Sequence, residues 1–351
     1  NLVYLEMNNE NFKKYRLIKG DILLNRTNSY ELVGKISLFD SDEEYLCASY
    51  IVVLRPNSDI INSKYLNYCL NTEKLQNQIK ILATRGVSQA NINPTVFRKK
   101  IKVLVPPLKE QEKIVEIISK WDLAIEKQEL FIEKKKEFKK GLMQRLLNGE
   151  VRFKEFKDEW KKIKLKDIIE ESKEKSIENN QYDILSVTKD GIFLQSEYFN
   201  RQIASEDNIG YKVVRKNNLV FSSMNLWMGS IDVLTKFDIG IVSPACKVFN
   251  INLDRVDINY FKELVRSKRM INLYNINSEQ GASIVRRNLD LLGLLNSKIY
   301  IPSIEEQKKI GVVFKQIDEE IELLEKELEA LKLQKKGLMQ RLLTGEVRVK
   351  V

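Results

Sequence analysis

The chain has 351 residues, of which 43% are hydrophobic and 31% are charged, and a chain of this size favours two or more domains. It contains no histidine and no GxxxxGK[ST] or GxGxxG phosphate loop, so histidine-dependent catalysis, histidine metal ligands and the usual nucleotide sites are excluded and an enzyme is disfavoured. The formal net charge of +10 suits a polyanionic partner such as nucleic acid.

The N-terminal part of the chain carries the apolar runs of a mixed α/β domain. Short aliphatic runs predict strands over residues 21–24, 51–54 and 102–105. Between them, an amphipathic stretch predicts a helix over residues 63–81.

A long amphipathic helix is predicted next, beginning at Pro106-Pro107 and ending at Asn148-Gly149. Its apolar positions follow the spacing of a heptad seam, with polar interruptions at Gln128 and Lys135. The apolar seam positions are Ile114, Ile118, Trp121, Ile125, Ile132, Leu142 and Leu146. At a rise of 1.5 Å per residue, a helix of about 40 residues is about 60 Å long.

The C-terminal part repeats this order of elements. Strands are predicted over residues 218–221, 239–242 and 298–301, and a helix over residues 258–273. A second long helix is predicted to begin at Pro302 and end at Thr344-Gly345. Its seam, broken at Lys335, consists of Ile310, Phe314, Ile317, Ile321, Leu324, Leu328, Leu331, Leu338 and Leu342.

The two long helices end in almost the same sequence. Residues 139–152 and 335–348 agree at 13 of 14 positions, at an offset of 196. The same offset aligns Glu110-Gln111 with Glu306-Gln307. A period of this length indicates a duplicated domain together with its connecting helix. Because the hydrophobic pattern persists while the polar residues differ, we interpret the copies as one scaffold that recognises two different targets. The alternative is ordinary sequence drift, with the connecting helix conserved by its packing.

These elements predict α/β (α+β) domains in two copies, separated by two long antiparallel α-helices that form a coiled coil with internal pseudo-twofold symmetry. The alternative is that each seam packs only on its own domain. The predicted segments are 1–104 for the first domain, 105–150 for the first helix, 151–300 for the second domain and 301–351 for the second helix. Asn1 aligns with Glu197, so we expect about 40 residues ahead of Asn1 to be missing from the first copy.

Short motifs recur at corresponding places in both copies. A Gly-x-Ser loop occurs at Gly86-Val87-Ser88 and again at Gly281-Ala282-Ser283. Each long helix begins with a Glu-Gln pair after proline and ends in Gly-Leu-Met-Gln-Arg-Leu-Leu-x-Gly, and Trp160 opens the second domain. Together these motifs resemble the specificity (S) subunits of type I restriction–modification systems over essentially the whole chain. Copy two departs at residues 284–287, where copy one has Gln89.

The resemblance implies a non-catalytic subunit with two target-recognition domains, each reading one half of a bipartite sequence in double-stranded DNA. It implies that two methyltransferase (M) subunits, which hold S-adenosylmethionine, bind the chain and that restriction (R) subunits join them. No cofactor or metal is expected on the chain itself. Two unlike domains on a stiff spacer would hold two half-sites at a fixed separation.

The residues expected to contact DNA are polar and basic side chains from two loops in each copy. In copy one they are Arg26, Asn28, Ser29, Arg85, Ser88, Gln89 and Asn91. In copy two they are Ser222, Ser223, Asn225, Ser283, Arg286 and Arg287. The alternative at each position is a turn that only caps a strand or helix. The neighbouring Trp227 is interpreted as a core residue rather than as a wedge between bases.

The near-identity of the helix ends predicts a partner surface. A seam constrains only about two residues in seven, so the wider match fits two copies of one partner on equal surfaces. We therefore expect the methyltransferase subunits to dock near Gln144, Arg145, Gln340 and Arg341. Recent duplication or gene conversion is the alternative explanation.

Two other functions stay open at this point. A coiled-coil adaptor without a DNA-reading role would show no salt-dependent DNA binding in its assembled complex. An enzyme with an acidic metal site would show metal-dependent activity of the isolated chain.

The cysteines and the hydropathy pattern predict the cell compartment. Cys47, Cys69 and Cys246 lie far apart without metal-binding spacing, which indicates a reducing environment and hence the cytoplasm. No apolar run approaches the ~18 residues of a membrane span, so no membrane partner is expected.

Overall fold

The structure is a computed structural model that describes residue 12 and residues 15–199, 207–280 and 287–350. The chain forms two compact units: unit 1 comprises Asn1–Phe131 and Glu325–Val351, and unit 2 comprises Ile132–Leu324. Each unit contains one α/β domain and part of both long helices. The sequence-based boundaries, which give each helix a segment of its own, stay a prediction.

Unit 1 contains two small antiparallel sheets. Its strands are β1 (Ile22–Asn25), β2 (Thr27–Asn28), β3 (Ile36–Leu38), β4 (Ile51–Leu54), β5 (Ala83–Arg85) and β6 (Ala90–Ile92). Its helices are α1 (Ser63–Leu70), α2 (Glu73–Ile81), α3 (Pro94–Lys100) and the first part of α4 (Leu108–Leu147). One sheet has the order β3-β1-β4 and the other β2-β6-β5. Ile22 and Leu24 are buried and alternate with more exposed residues, so one face of the first sheet packs on the core.

Unit 2 contains the larger domain. Its strands are β7 (Lys161–Lys164), β8 (Ile169–Glu171), β9 (Leu185–Thr188), β10 (Gly191–Leu194), β11 (Lys212–Arg215), β12 (Leu219–Ser222), β13 (Ile231–Val233), β14 (Ile239–Val242), β15 (Cys246–Ile251), β16 (Ser278–Gln280), β17 (Arg287–Leu289) and β18 (Lys298–Ile301). Its helices are α5 (Gln195–Tyr198), α6 (Ile258–Val265), α7 (Lys268–Ile276), α8 (Leu291–Asn296) and the first part of α9 (Ile304–Leu343).

The main sheet of unit 2 has the antiparallel order β13-β12-β15-β8. Antiparallel pairs β9–β10, β11–β14, β16–β17 and β7–β18 surround it. Phe221 and Phe249 stack at the centre of the core with their ring centroids 5.5 Å apart. Tyr260 and Phe261 of α6 are fully buried in the same cluster, so this helix covers the sheet.

The helix predicted over residues 63–81 is instead two helices, α1 and α2. The Thr72 hydroxyl donates to the Cys69 carbonyl oxygen at 2.7 Å, which satisfies a carbonyl at the end of α1. Thr72 itself is extended and precedes α2. In unit 2, the helix predicted over residues 258–273 divides in the same way, where Ser267 accepts a hydrogen bond from the Met270 N–H and caps α7.

The strand predicted over residues 102–105 is wrong. These residues form no strand within the described part of the chain. Residues 298–301, their counterparts in the repeat, form β18 because β7 pairs with them. A strand exists only with a hydrogen-bonded neighbour, and the apolar pattern of a segment does not reveal whether that neighbour is present.

Both long helices are confirmed. Helices α4 and α9 have 40 residues each, begin shortly after a proline and end shortly before a glycine of positive φ. These glycines are Gly149, with φ 74°, and Gly345, with φ 73°. The left-handed conformation that ends each helix favours glycine, which has no Cβ.

Within each unit, α4 and α9 pair in antiparallel orientation. In unit 1, Asp122 of α4 pairs with Lys335 of α9, and Glu129 pairs with Lys332 at 2.9 Å. The Gln128 side chain donates to Glu327 at 3.4 Å.

In unit 2, Lys135 of α4 pairs with Glu320 of α9, and Lys139 pairs with Asp318, both at 2.7 Å. In the ion pairs of unit 1, the α9 partner falls from residue 335 to 332 as the α4 residue rises from 122 to 129, and in unit 2 it falls from 320 to 318 as the α4 residue rises from 135 to 139. This confirms the predicted antiparallel arrangement in both units. Gln128 and Lys135, the polar residues of the predicted seam, each contact a glutamate of the other helix.

Candidate nucleic-acid interface

In unit 1 the structure brings the two predicted DNA-contact loops together. Strand β2, after β1, pairs with β6 of the β5–β6 hairpin, with Thr27 opposite Asn91 and Asn28 opposite Ala90. The hairpin tip closes where the Gly86 N–H donates to the Gln89 carbonyl oxygen at 2.7 Å. The predicted contact residues of the hairpin, Arg85, Ser88, Gln89 and Asn91, are all exposed.

The Arg85 guanidinium lies over an aromatic ring. Its Cζ atom is 3.7 Å from the centroid of the Tyr30 ring, and the Lys80 Nζ atom is 4.7 Å from the same centroid. Arg85 forms no ion pair with a carboxylate among the described residues. Stacking therefore restrains the guanidinium while its N–H edge faces no internal anion.

Two predicted residues of the first loop, Asn28 and Ser29, have a local role, and a third, Arg26, is half-buried. The Asn28 side-chain oxygen accepts a hydrogen bond from the Ser29 N–H at 2.8 Å, which shapes the turn. Arg26 is half-buried, and its Nε atom is buried without a hydrogen-bond partner.

Unit 2 places the corresponding loop beside its own hairpin, β16–β17. The Arg287 N–H donates to the Met224 carbonyl oxygen at 3.3 Å and joins the loop to β17. The Ser223 hydroxyl donates to the Ala245 carbonyl oxygen at 2.9 Å, while Ser222 and Asn225 are half-buried. The predicted residues Ser283 and Arg286 lie outside the described residues.

Arg287 also lies on an aromatic ring. Its Cζ atom is 4.5 Å from the centroid of the Trp227 ring, and its guanidinium donates to the Asn275 side-chain oxygen at 3.1 Å. The Arg287 Nε atom is buried without a hydrogen-bond partner. Trp227 is half-buried and supports Arg287, which differs from the sequence-based interpretation of a core residue.

The two stacked arginines come from opposite strands of equivalent hairpins. Arg85 ends β5 and lies opposite Ala90, whereas Arg287 begins β17 and lies opposite Gln280. Each unit therefore has a ring-supported guanidinium at the last described pair of its hairpin ladder, on the first strand in unit 1 and on the second strand in unit 2. Tyr30, the ring that supports Arg85, was not among the predicted site residues.

A second pair of equivalent sites lies at the start of each long helix. In unit 1, Arg348 donates two hydrogen bonds to the buried Glu110 carboxylate, at 2.6 and 2.5 Å. In unit 2, Arg152 donates to the buried Glu306 carboxylate at 2.9 and 2.7 Å. Bidentate contacts of this kind are strong and geometrically specific. The Arg348 hydrogen bonds hold the pKa of Glu110 below its usual range.

The glutamines next to these carboxylates are fully buried and make matching bonds. Gln111 accepts from the Asn62 N–H and donates to the carbonyl oxygens of Ile60 and Pro106. Gln307 accepts from the Asp257 N–H and donates to the carbonyl oxygens of Arg255 and Pro302. The duplicated Glu-Gln pair therefore has an internal structural role that sequence analysis missed.

The four residues of the predicted docking surface are exposed. Gln144 and Arg145 lie near the end of α4, and Gln340 and Arg341 lie at the same positions of α9. One turn earlier, Gly141 and Gly337 are exposed helical glycines, and a Cβ on either would have no other atom within 4 Å. Glycine inside a helix costs about 1 kcal/mol relative to alanine, and no contact within the described residues requires it here.

No group of three or more Cys, Asp or Glu side chains with metal-site geometry occurs among the described residues. Within the same part of the chain, no helix combines the length and the apolar character that crossing a bilayer requires.

Comparison with known proteins identifies relatives across the whole chain. A family model described as "Type I restriction modification DNA specificity domain" matches residues 3–134 and 157–333. The putative type I restriction enzyme MjaX specificity subunit of Methanocaldococcus jannaschii is 31% identical over 99% of this chain and 84% of its own length. The type I restriction enzyme MjaVIII specificity subunit of the same organism is 27% identical over 87% of this chain and 75% of its own length.

Two solved structures share the fold. The type I restriction–modification S subunit from M. genitalium has a TM-score of 0.52 at 17% identity and covers 94% of this chain and 84% of that chain. A chain from a study of assembly and conformational transition of the type I R-M system has a TM-score of 0.55 at 15% identity, covering 95% and 83%. With two family-model matches and a relative at 31% identity, the chain belongs to the DNA specificity subunits of type I restriction–modification systems.

Proposed function

We propose that each unit reads one half of a bipartite DNA sequence through its hairpin and the adjoining loop. The observation that carries this proposal is the guanidinium at the last described pair of each hairpin ladder, where the exposed Arg85 lies over Tyr30 and the half-buried Arg287 lies over Trp227. Arginine recognises guanine through two hydrogen bonds to O6 and N7 in the major groove. An aromatic ring beneath the guanidinium limits its rotation before DNA binds and so reduces the entropic cost of that contact.

The two arginines come from opposite hairpin strands, so they would address different positions in their half-sites. Exposed Ser88, Gln89 and Asn91 would add hydrogen bonds to base edges or phosphates in the first half-site. This arrangement accounts for a shared scaffold with different polar residues, because the scaffold positions the hairpin and the polar residues select the bases.

The test is methylation mapping of the assembled complex with variants in one unit at a time. Arg85→Ala should relax one base position in one half-site, by about 1–3 kcal/mol of discrimination, and leave the other half-site unchanged. Arg287→Ala should do the reverse. Uniformly weaker binding to all sequences with a shallower salt dependence would instead assign Arg85 to a phosphate, and unchanged specificity would exclude it from the interface.

A matched pair of variants tests the supporting ring. Tyr30→Phe keeps the ring and should preserve the half-site preference. Tyr30→Leu removes the ring and should weaken the preference at the base that Arg85→Ala affects, by about 0.5–1 kcal/mol. Equal behaviour of the two variants would show that the stack does not position Arg85.

Methyltransferase subunits dock, in this proposal, on the repeated surface near Gln144 and Arg145 and again near Gln340 and Arg341. Support comes from the exposure of all four side chains and from the exposed glycines one turn earlier. S-adenosylmethionine would be held by these partners and not by this chain, which is itself non-catalytic, and restriction subunits would join the complex. Arg145→Glu combined with Arg341→Glu should prevent co-purification with the methyltransferase, and an intact complex would remove this surface.

The long helices set the number of base pairs between the half-sites. Insertion of four residues into both α4 and α9 adds about 6 Å, close to two base pairs. Selection of binding sites with such a variant should yield a longer spacer, and an unchanged spacer would contradict the proposal. The compartment we propose is the cytoplasm, supported by family membership and by Cys47, Cys69 and Cys246, which form no disulfide.

A further inference from the structure

Three lysine side chains gather around one glutamate in unit 2. The Lys247 Nζ atom lies 2.8 Å, and the Lys212 Nζ atom 3.8 Å, from the same carboxylate oxygen of Glu171. Lys175 lies directly opposite Lys212 in an isolated antiparallel bridge, so the two side chains leave the same face of the pair. Three ammonium groups and one carboxylate give these four residues, the lysine cluster, an excess of two positive charges.

The groups beside Lys212 do not offset this excess. Burial raises the pKa of the neighbouring Cys246 thiol to about 11, so this thiol is neutral at physiological pH. Glu174, the acidic neighbour in the sequence, already accepts two hydrogen bonds from Arg215, at 2.7 and 3.0 Å. Burial and then the charge of Lys247 lower the pKa of Lys212. The fold therefore holds like charges together at an electrostatic cost, which a bound anion would reduce.

The lysines of the cluster are positioned by strands and still reach the surface. The Lys212 side chain is 15% exposed and the Lys247 side chain 31% exposed, and Lys175 is exposed. Lysine side chains of this kind pack their alkyl stems on the protein and keep the ammonium group in water. Because β11 and β15 restrain two of the three stems, less side-chain freedom is lost when an anion binds.

The lysine cluster lies beside the proposed DNA-contact loop of unit 2. Lys212 is opposite the last residue of β14, and the turn to β15 begins directly after that residue. This turn contacts the loop, because the Ser223 hydroxyl donates to the Ala245 carbonyl oxygen at 2.9 Å. Lys247 follows at the start of β15, opposite Phe221 of β12, the strand that leads into the loop. The cluster and the loop therefore share one end of the domain.

Unit 1 has uncharged residues at the positions of two of these lysines. Its β1–β4 ladder corresponds to the β12–β15 ladder of unit 2, which places Val52 where unit 2 has Lys247. The isolated bridge ahead of β1 corresponds to the β11–β14 ladder, which places Tyr15 where unit 2 has Lys212. The pair of lysines that shares Glu171 is thus a feature of unit 2 and not of the common scaffold.

We propose that the lysine cluster binds a backbone phosphate of the DNA that unit 2 reads, and that Glu171 is the internal counter-ion with which this phosphate competes. A phosphate contact fixes the position of a protein on the duplex without selecting a base. It also makes binding sensitive to salt, because the lysines replace counterions condensed on the DNA. The inference rests on the proposed function in so far as unit 2 binds DNA, and it adds a positioning site that unit 1 does not share.

The first experiment measures DNA binding by the complex assembled with its methyltransferase, between about 50 and 200 mM salt. Lys212→Met and Lys247→Met should each weaken binding to all sequences and lower the salt dependence by about one phosphate contact, so that the affinity lost over this range is about threefold smaller. The methylated sequence should stay the same. Lys216→Met is the matched control, because Lys216 directly follows β11 and pairs with Asp238 at 3.0 Å, and it should not change the salt dependence.

A change of the glutamate separates DNA binding from a structural role of the ion pairs. Glu171→Gln removes the internal counter-ion and should strengthen binding to all sequences about threefold. If the lysines serve only to neutralise Glu171, this variant should leave DNA affinity unchanged, and the lysine variants should keep the normal salt dependence. Either of these results would overturn the proposal.

The pH dependence of binding gives an independent readout. Because the pKa of Lys212 is lowered, this lysine loses its proton at a lower pH than an ordinary lysine, and DNA affinity should begin to fall there. Arginine stays charged in this range, so Lys212→Arg should keep the affinity at neutral pH and remove the early fall. An early fall that persists in Lys212→Arg would exclude Lys212 from the contact.

These measurements distinguish the phosphate site from base reading by Arg287. If Arg287→Ala relaxes the half-site of unit 2 while the lysine variants keep the normal salt dependence, the phosphate site fails and the proposed function stands. If the lysine variants lower the salt dependence while Arg287→Ala leaves the methylated sequence unchanged, the phosphate site stands and base reading by Arg287 fails.

Discussion

The two units solve the same packing problem with different groups. In unit 1, Asp122 of α4 accepts a hydrogen bond from the Tyr68 hydroxyl at 2.5 Å and pairs with Lys335 of α9. In unit 2, Lys139 of α4 pairs with Asp318 of α9 and with Glu263 of α6, at 2.7 and 2.9 Å. The lysine–aspartate pair joins the helices in both units, with the two residues exchanged between helices.

The third member of each group has opposite chemistry. Tyr68 donates to the aspartate, and burial raises its pKa to about 12, so it is neutral. Glu263 accepts from the lysine, and burial raises its pKa although Lys139 opposes the shift. Tyr68 and Glu263 occupy the corresponding position of the two units, and each forms a hydrogen bond with the α4 residue that faces it, Asp122 or Lys139. The position therefore requires a side chain that complements the α4 residue, and different residue types can meet that requirement. A duplicated scaffold therefore conserves contact geometry more strictly than residue type.

The largest effect is expected where the units are most alike. Gln111→Leu or Gln307→Leu leaves one N–H and two carbonyl groups without their buried partner, at a cost of about 3 kcal/mol. Hydrogen exchange measured separately for each unit should show the loss of stability in unit 1 for Gln111→Leu and in unit 2 for Gln307→Leu. If the two variants lose clearly different amounts of stability, the starts of α4 and α9 are not energetically equivalent.

A smaller effect, in pH dependence, is expected where the units differ. Because burial raises the folded-state pKa of Glu263, its contribution to stability is fully present below the unfolded value of 4.5 and is lost as pH rises through the folded value. Glu263→Gln should flatten the decline in unfolding free energy between acidic and neutral pH. Tyr68→Phe, the matched variant in unit 1, should not alter this range, since Tyr68 titrates near 12. An unchanged slope in the Glu263→Gln chain would contradict the assignment.

The smallest effect is expected at the exposed glycines of the long helices, where alanine should stabilise the chain but weaken its association with a partner. Gly141→Ala and Gly337→Ala should each stabilise the isolated chain by about 0.5–1 kcal/mol, because alanine favours the helix and has space there. If a partner approaches closely at these glycines, the same changes should weaken association with the methyltransferase. The exposed neighbour Lys140→Ala is the control. If the variants are more stable but associate with the methyltransferase as before, these glycines are not part of the docking surface.

The long helices were the most predictable feature because their pattern extends over many turns and their ends carry proline and glycine. Strands that matched the prediction, such as β4 and β14, are runs of aliphatic residues that have a hydrogen-bonded neighbour in the fold. Residues 102–105 show the limit of this approach, because pairing depends on a neighbour that the local pattern does not contain. The division of residues 63–81 at Thr72 depended on one hydroxyl that competes for a helix carbonyl.

The candidate site was predictable at the level of loops and less so at the level of contacts. The polar character of residues 25–29 and 85–91 indicated exposed loops, and β2–β6 pairing brings them together. The ring under Arg85 could not be predicted, because Tyr30 and Arg85 are distant in sequence and cation–π pairs have no required spacing. Arg348 and Glu110 are farther apart still, and only the repeat itself linked them to Arg152 and Glu306.

The polar pairs between α4 and α9 also select the register of the helices. A slip by one heptad in one direction would place Lys135 opposite the apolar Val313, and a slip in the other would place Asp122 opposite Leu342. An unpaired charge against an apolar side chain costs more than a shifted aliphatic seam would. The polar residues in the seam therefore reduce its hydrophobic contact but favour one alignment of α4 and α9. Pairings of the two helices in another register would be less stable and would not persist during folding.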